Sequence, residues 1–438
     1  MSDCKILVLG ASGLIGRVVT DDLRARGFPT IGIARRFTHS QKANALDLEL
    51  PIMALDVAAL ARLLRDREVD IVVNCLGVLQ DGPGSDTGAV HRDFVARLLA
   101  GIRDSGRAMR LVHISIPGVA EDDHTSFSVT KREAERLIAA SGIPHAILRP
   151  GFVVAPAAYG GSAMLRALAA LPVDVPEEAA TLFQPIAVED IATTIAWLAE
   201  RAIADPAANA VSWDLMQPQP ITLGGVIKQF RFSFGTADTL RLRPPAFMID
   251  LGAKLGDLVS QLGWVPPLRS TAIAELRRGV TGDPRGWMAA TGIVPKMLAE
   301  AVGGRSSTIQ DKWFARLFLI KALVIASLAL FWVASGFIAL FVSYDAAAGI
   351  LSARNFPPAL VGPFTVLTSL MDMSIGVLIA FRRTAAFGLI AGILASLGYM
   401  IGTAILMPDL WIEPLGALVK TGPAIVLMLV ALLTLDNR

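Results

Sequence analysis

KILVLGASGLIGRVV, residues 5–19, is a short apolar strand that breaks on glycine and resumes as a helix. Gly10, Gly13 and Gly16 stand at the turn. Glycine there permits a tight turn and lets a pyrophosphate approach the backbone, where the amides of the helix N-terminus meet its charge. The spacing alone is a weak signal. At the head of a strand-helix-strand pattern it predicts a dinucleotide site, with Ser12, Leu14 and Ile15 completing the loop.

Working outward, KILVLG, TIGIA, IMALD, DIVVNCLG, RLVHIS and HAILR alternate with amphipathic stretches such as IGRVVTDDLRARG. Six strands in that rhythm predict an α/β fold, a doubly wound parallel sheet of the Rossmann type. An Asp or Glu about 20 residues past the glycines would bind the ribose hydroxyls of NAD. TIGIARR ends instead in Arg35 and Arg36. Two guanidinium groups suit a 2′-phosphate, so NADP(H) is expected over NAD(H). Asp56, closing IMALD, is placed to accept from an adenine amino group, and Asn74 and Gly77 of NCLG end the fourth strand where the chain passes the cofactor.

Composition says that this domain is not the whole chain. Of 438 residues, 53% are hydrophobic, and the mean hydropathy of +0.56 is too high for an ordinary soluble protein. A net charge of +2 gives no footprint for nucleic acid. Cys4 and Cys75 make no disulfide framework, and MSDCKILVLG lacks the charged start and long apolar run of a secretory signal. A reducing, cytoplasmic setting is expected for the N-terminal domain. Residues 1–225 are expected to form it, with a small substrate subdomain from 151 onward walling the sheet's carboxyl edge.

Residues 226–312 carry twelve Lys/Arg against seven Asp/Glu among apolar side chains. They read as a basic amphipathic connector, lying on an anionic membrane surface or packed on the soluble domain as a helical hairpin. Residues 313–438 differ in kind. Ala322–Val342, Pro363–Phe381, Thr384–Met407 and Leu415–Leu435 are each close to the length that crosses a bilayer, so four transmembrane helices are expected. Lys312, Arg316 and Lys321 precede the first, Arg382 and Arg383 link the second and third, and Asp409 with Glu413 follows the third. The positive-inside bias puts the N-terminal domain, the Arg pair and the C-terminus in the cytoplasm. Asp372 and Lys420 fall inside the spans, where a charge is costly, and are expected to pair unless Lys420 snorkels.

In order along the chain, GASGLIG, LD at the third strand, NCLG, HIS with Ser115, SFSVTKREAE with Lys131, and ILRPG with Arg149, Pro150 and Gly151 resemble the short-chain dehydrogenase/reductase superfamily, in its extended and atypical branch. The subgroup it looks most like includes the nucleotide-binding accessory subunit of respiratory complex I, which implies cofactor binding and leaves turnover open. QDKWFARLFLIKALVIASLALFWVASG opens a part that is similar to the DoxX-like membrane family, some of whose members are associated with quinone-linked oxidation.

Of the superfamily's Ser, Tyr and Lys, Ser115 and Lys131 match, and Phe127 stands in the Tyr position. The resemblance implies that Lys131 holds the nicotinamide ribose. A phenyl ring donates no proton. Tyr159, Ser126, Ser128, Thr130, His113 and His124 are the candidate replacements, and no spacing singles one out. Quinone reduction can take its proton from water. The expectation is therefore a membrane-anchored, NADP(H)-binding atypical reductase acting on or near a lipophilic substrate such as a quinone. The alternatives are a non-catalytic nucleotide-binding scaffold of a membrane complex and a relative of the nucleotide-sugar epimerases and dehydratases.

Overall fold

The computed structural model describes residues 4–37, 46–158, 160–172, 181–236, 245–303, 307–354, 356–412, 416 and 418–435. Six strands, β1 (Ile6–Leu9), β2 (Thr30–Ala34), β3 (Leu48–Glu49), β4 (Ile71–Asn74), β5 (Arg110–Ile114) and β6 (His145–Pro150), join Val211–Leu215 in one sheet. Its order is Val211–Leu215, β6, β5, β4, β1, β2, β3, and every pairing is parallel. Parallel strands covered on both faces need no alternation, which is why ILVL, TIGIA and IVVN are buried at every residue.

The helices α1 (Leu14–Ala25), α2 (Val57–Asp66), α3 (Phe94–Asp104) and α4 (Ser126–Ala139) share the cover with Val188–Ala199. Val19 and Leu23 of α1 and Ile191 and Ile195 pack on Ile6, Val8, Ile71 and Val73. On the other face Leu60, Phe94, Leu98 and Ile138 pack on Leu7, Leu9, Val72 and Leu111.

One strand expectation is corrected, and one strand is added. IMALD is not a strand: Ile52–Ala54 is a 3-10 turn, and the pairing with β2 falls earlier, at Leu48 and Glu49. Pro51 has no N–H for a ladder, and Asp56 ends the segment by capping α2 through a bond from Ala59 N at 2.7 Å. The edge strand Val211–Leu215 was concealed by Ser212 and Asp214, which lie on its more open side.

Contacts divide the chain into Met1–Gly256 with Pro267–Ala315, and Asp257–Pro266 with Arg316–Arg438. In the first unit, Trp287 is fully buried in the sheet domain's core, its Nε1 donating to Thr194 Oγ1 at 3.1 Å, and Lys296 N donates to Asp190 at 2.8 Å.

Among the described residues, three helices are long and apolar enough to cross a membrane, Ile309–Val342, Pro358–Ala380 and Ala385–Leu406, and all of their residues from Arg316 on belong to the second unit. They approach closely through glycine; a Cβ on Gly376 would lie 2.7 Å from Ala329 O. The fourth expected span is shorter. Its helix, Thr421–Leu433, has 13 residues, about 20 Å at the α-helical rise and less than the ~30 Å hydrocarbon core. Lys420 is therefore exposed at the N-cap, not five residues inside a helix. Asp372 does not pair with it: Asp372 Oδ1 accepts from Tyr399 Oη of the neighbouring helix at 2.8 Å. A phenol on the adjacent helix satisfies the carboxyl without a second charge in the apolar layer. Glu413 lies outside the described residues.

Candidate functional site

The sheet order runs one way from β1 and the other way from β4, so the turns that leave these two strands flank a crevice at their carboxyl ends. Gly10 holds φ +80°, and a Cβ on it would meet Cys75 O at 3.2 Å and Leu76 Cδ2 at 3.3 Å. Gly13 N donates to Gly10 O at 2.9 Å, and Gly13 caps α1 with no side-chain acceptor. The first-turn amides of Leu14, Ile15 and Gly16, next to Ser12, thus have no intrahelical partner and are free for an anion. A Cβ on Gly16 would come within 2.3 Å of Gly10 O. The turn is a cradle that side chains would fill, and it fits a pyrophosphate.

Arg35 and Arg36 follow β2 and are both exposed. The carboxylates that reach this strand are engaged elsewhere. Asp47 accepts from Arg24 at 2.6 Å and from Gly32 N at 3.1 Å, and Glu49 accepts from Phe37 N at 2.7 Å. Asp56 is exposed at its helix cap.

At the ends of β4 and β5 lies a buried polar cluster. Asn74 Oδ1 accepts from Leu76 N at 3.1 Å, and its Nδ2 meets His113 Nδ1 at 3.2 Å. Burial, then the neighbouring Lys131 charge, pushes His113 well below the usual imidazole range, so it stays neutral. Lys131 Nζ donates to Ile114 O at 2.8 Å and Leu76 O at 3.3 Å, and Gly77 leaves it room, since a Cβ there would stand 3.6 Å from Nζ. Burial pushes the Lys131 ammonium down to about 8.

Phe127 and Lys131 are one helical turn apart on α4, and the Phe127 ring meets His91 edge-on, with centroids 5.6 Å apart. His91 sits in the π-helical turn Ala89–Asp93, and no spacing marks it in the sequence. Its Nε2 accepts from Val78 N at 3.1 Å, which leaves Nδ1 to donate to Thr130 Oγ1 at 2.9 Å. Thr130 in turn donates to Ser126 O at 2.6 Å. Burial pushes His91 down to about 2. Neither nitrogen is available to a substrate.

The other candidate donors are no closer to the task. Ser128 is engaged in the α4 capping box with Thr125, Ser126 and His124 are exposed, and Tyr159 lies outside the described residues. Ser115 is buried at the exit of β5. Around it runs an ionic network that the sequence reading missed. Glu135 accepts from Arg149 at 2.9 and 2.7 Å and from Arg132 at 3.2 Å. Arg132 also reaches Asp123 at 2.9 Å, and Arg278 reaches Asp123 at 2.7 Å. Burial pushes the Glu135 carboxyl up, but the Arg149 bond and the two guanidinium charges outweigh it and hold it below the usual range. The i,i+3 pair of Arg and Glu in TKREAE was the available signal.

Comparison with known proteins agrees with this geometry. Residues 10–195 match the NAD(P)H-binding family, and residues 329–429 match the DoxX-like family. The 3-diazoavenalumate denitrifying reductase of a Streptomyces species is 30% identical over 196 residues, 38% of this chain and 62% of that protein. Phenylcoumaran benzylic ether reductase TP7 of Nicotiana tabacum is 27% identical over 154 residues, 32% of this chain and 46% of that protein. The chain thus spans less than two thirds of either relative. Among solved structures, UDP-glucuronic acid 4-epimerase from Bacillus cereus in complex with UDP-glucuronic acid and NAD superposes with a TM-score of 0.52 at 15% identity, over 72% of this chain and 99% of that one. UDP-glucose 4-epimerase from Thermotoga maritima gives 0.52 at 15% identity, over 68% and 97%. At such identities the likeness is one of fold.

Proposed function

We propose that this chain, which joins an NAD(P)H-binding domain of the short-chain dehydrogenase/reductase type to a DoxX-like membrane domain, is an NADP(H)-dependent oxidoreductase acting on a lipophilic substrate such as a quinone. The observation that carries the reading is the face of α4. Lys131 is buried and held by two main-chain carbonyls at the crevice, while Phe127, one turn away, offers no proton. Such a site suits an acceptor that needs a hydride and draws its proton from water. Bound NADPH would supply the hydride, and NADPH, a quinone and a proton would become NADP⁺ and a quinol. Lys131 would hold the ribose, the amides after Gly13 the pyrophosphate, and Ser115 a place on the substrate side.

We assign residues 1–225 to the nucleotide domain with its substrate wall, 226–312 to a connector and 313–438 to the membrane domain. The cytoplasmic membrane, with both termini inside, is the proposed location. Two contacts support that arrangement. Arg382, between the second and third long helices, donates to Leu435 O at 2.9 Å, so the Arg pair and the end of helix Thr421–Leu433 share one side. Arg354 and Asp409 pair at 2.7 Å on the links at the other ends of these helices.

The test is consumption of NADPH by membranes containing the full chain, with a short-chain quinone present. Quinol should form in step with NADPH loss, and Lys131→Met should abolish both. The engagement of both His91 nitrogens and the ring at position 127 favour a second reading, a nucleotide-binding scaffold. Tight binding of NADPH with no turnover would establish that reading and end the first.

Cofactor choice gives a separate expectation. Arg35 and Arg36 are exposed and the nearby Asp47 and Glu49 are tied to the chain, so NADPH should bind more tightly than NADH. Replacing both arginines by Ala should remove most of the difference, about 1.5–3 kcal/mol per charge-assisted contact, as read by titration calorimetry. Equal affinities in the starting protein would refute the assignment.

A further inference from the structure

Helix Ala246–Gln261 turns opposite chemistries to its two sides. Its narrow side is built of small residues packed on the chain: Ala253 and Ser260 are buried, and a Cβ on Gly256 would come within 1.9 Å of Leu268 O. Its broad side carries Phe247, Met248, Leu251, Leu255, Leu258 and Val259, each 37–67% exposed. These positions recur at the helical period, so they form one continuous apolar face. A soluble surface rarely leaves such a face open without an occupant.

The far end of the helix says what the occupant is. Residues 257–266 belong to the same compact unit as the membrane helices. Leu262 O accepts from Arg382 N at 3.0 Å, Trp264 Nε1 donates to Ala380 O at 2.7 Å, and the Arg382 guanidinium lies over the Trp264 ring at 5.5 Å. Ala380 is the last residue of the second long helix, and Arg382 with Arg383 is the polar link to the third. That is the depth at which hydrocarbon gives way to headgroups, and Trp is the side chain suited to it.

We propose that helix Ala246–Gln261 lies in the bilayer interface, its apolar face sunk among the upper acyl chains, as a lipid contact separate from the spanning helices. The proposal rests on membrane insertion of the DoxX-like part. Lys254 stands at the rim of the apolar face, where its stem can run along lipid and its ammonium reach the headgroups. With Asp250 and Asp257 on the same helix, its net charge is not positive. Adhesion therefore comes from apolar area, and not from the surplus of basic residues in the surrounding connector.

The full chain in phosphatidylcholine nanodiscs provides the test, with single substitutions Leu255→Cys, Leu258→Cys, Asp250→Cys and Leu394→Cys carrying a fluorophore. The unsubstituted protein, with Cys4 and Cys75, gives the background. A lipid-borne nitroxide should quench positions 255 and 258 several-fold more than position 250, and aqueous iodide should do the reverse. Added phosphatidylglycerol should leave the pattern unchanged. Position 394, exposed on the third long helix, reports insertion itself. If it is not quenched by lipid, membrane insertion is wrong. If 394 is quenched while iodide reaches 255 as readily as 250, the interfacial helix alone is wrong. Shielding of 255 and 258 from both quenchers, together with cross-linked dimers, would assign the face to a second copy and overturn the proposal.

Discussion

Phe127→Tyr is expected to raise reduction of simple carbonyls by about 10²- to 10⁴-fold, the usual contribution of a positioned acid. The substitution adds one hydroxyl to a ring whose place is already fixed by α4 and by its edge contact with His91. Lys131 stands one turn away with its Nζ held by Ile114 O and Leu76 O, and burial has lowered it to about 8. An ammonium in that position favours the phenolate and so makes the phenol a better acid near neutral pH. Ser115 is present at the exit of β5. The gain should appear in kcat/KM with NADPH and a small aldehyde or ketone, and should fall as pH rises past the Lys131 value, because the neutral amine no longer assists. A variant that folds, binds NADPH and gains nothing would mean that the acceptor cannot reach residue 127.

How much of this site the sequence carried depends on what kind of constraint each residue answers. The glycines of GASGLIG were legible because pyrophosphate binding demands a residue type at a fixed spacing, and the contacts at Gly10 and Gly16 supply the reason. Lys131 and Phe127 were legible because a helix converts a spacing of four into a shared face. His91 was not, since what brings it under Phe127 is a π-helical turn on another segment. The third strand failed where hydrophobicity competed with Pro51, whose missing N–H weighs more than the apolar run after it. In the apolar C-terminal part composition marked where helices lie but not their ends: the last one starts at Thr421, six residues after its apolar run begins, and the first starts at Ile309, before its own. Partner choice there depends on which helices are neighbours, and so Asp372 was assigned to Lys420 when Tyr399 was nearer.

The same limit hid the feature with the largest expected effect on stability. Glu135 is buried, accepts a two-pronged contact from Arg149 and faces Arg132, so Glu135→Gln should keep the shape and cost about 3–5 kcal/mol by leaving guanidinium charge uncompensated in the interior. Its carboxyl is held below the usual range despite the opposing effect of burial. A group with a depressed folded value adds stability fully above its unfolded value, ~4.3 for Glu, and loses it as pH falls through the folded value. The deficit of the Gln variant should therefore be largest near neutral pH and shrink below about pH 4. Arg149→Met in the same background should recover part of the loss, because the charge left without its partner is gone. Thermal unfolding of the detergent-solubilised full chain across that pH range checks each point. Strictly additive losses in the double variant would mean that Glu135 and Arg149 are not coupled. The carboxyl edge of the sheet beside Ser115 would then be held by Arg132, through Glu135, Asp123 and the Pro117 carbonyl, and by Arg278, through Asp123 and the same carbonyl.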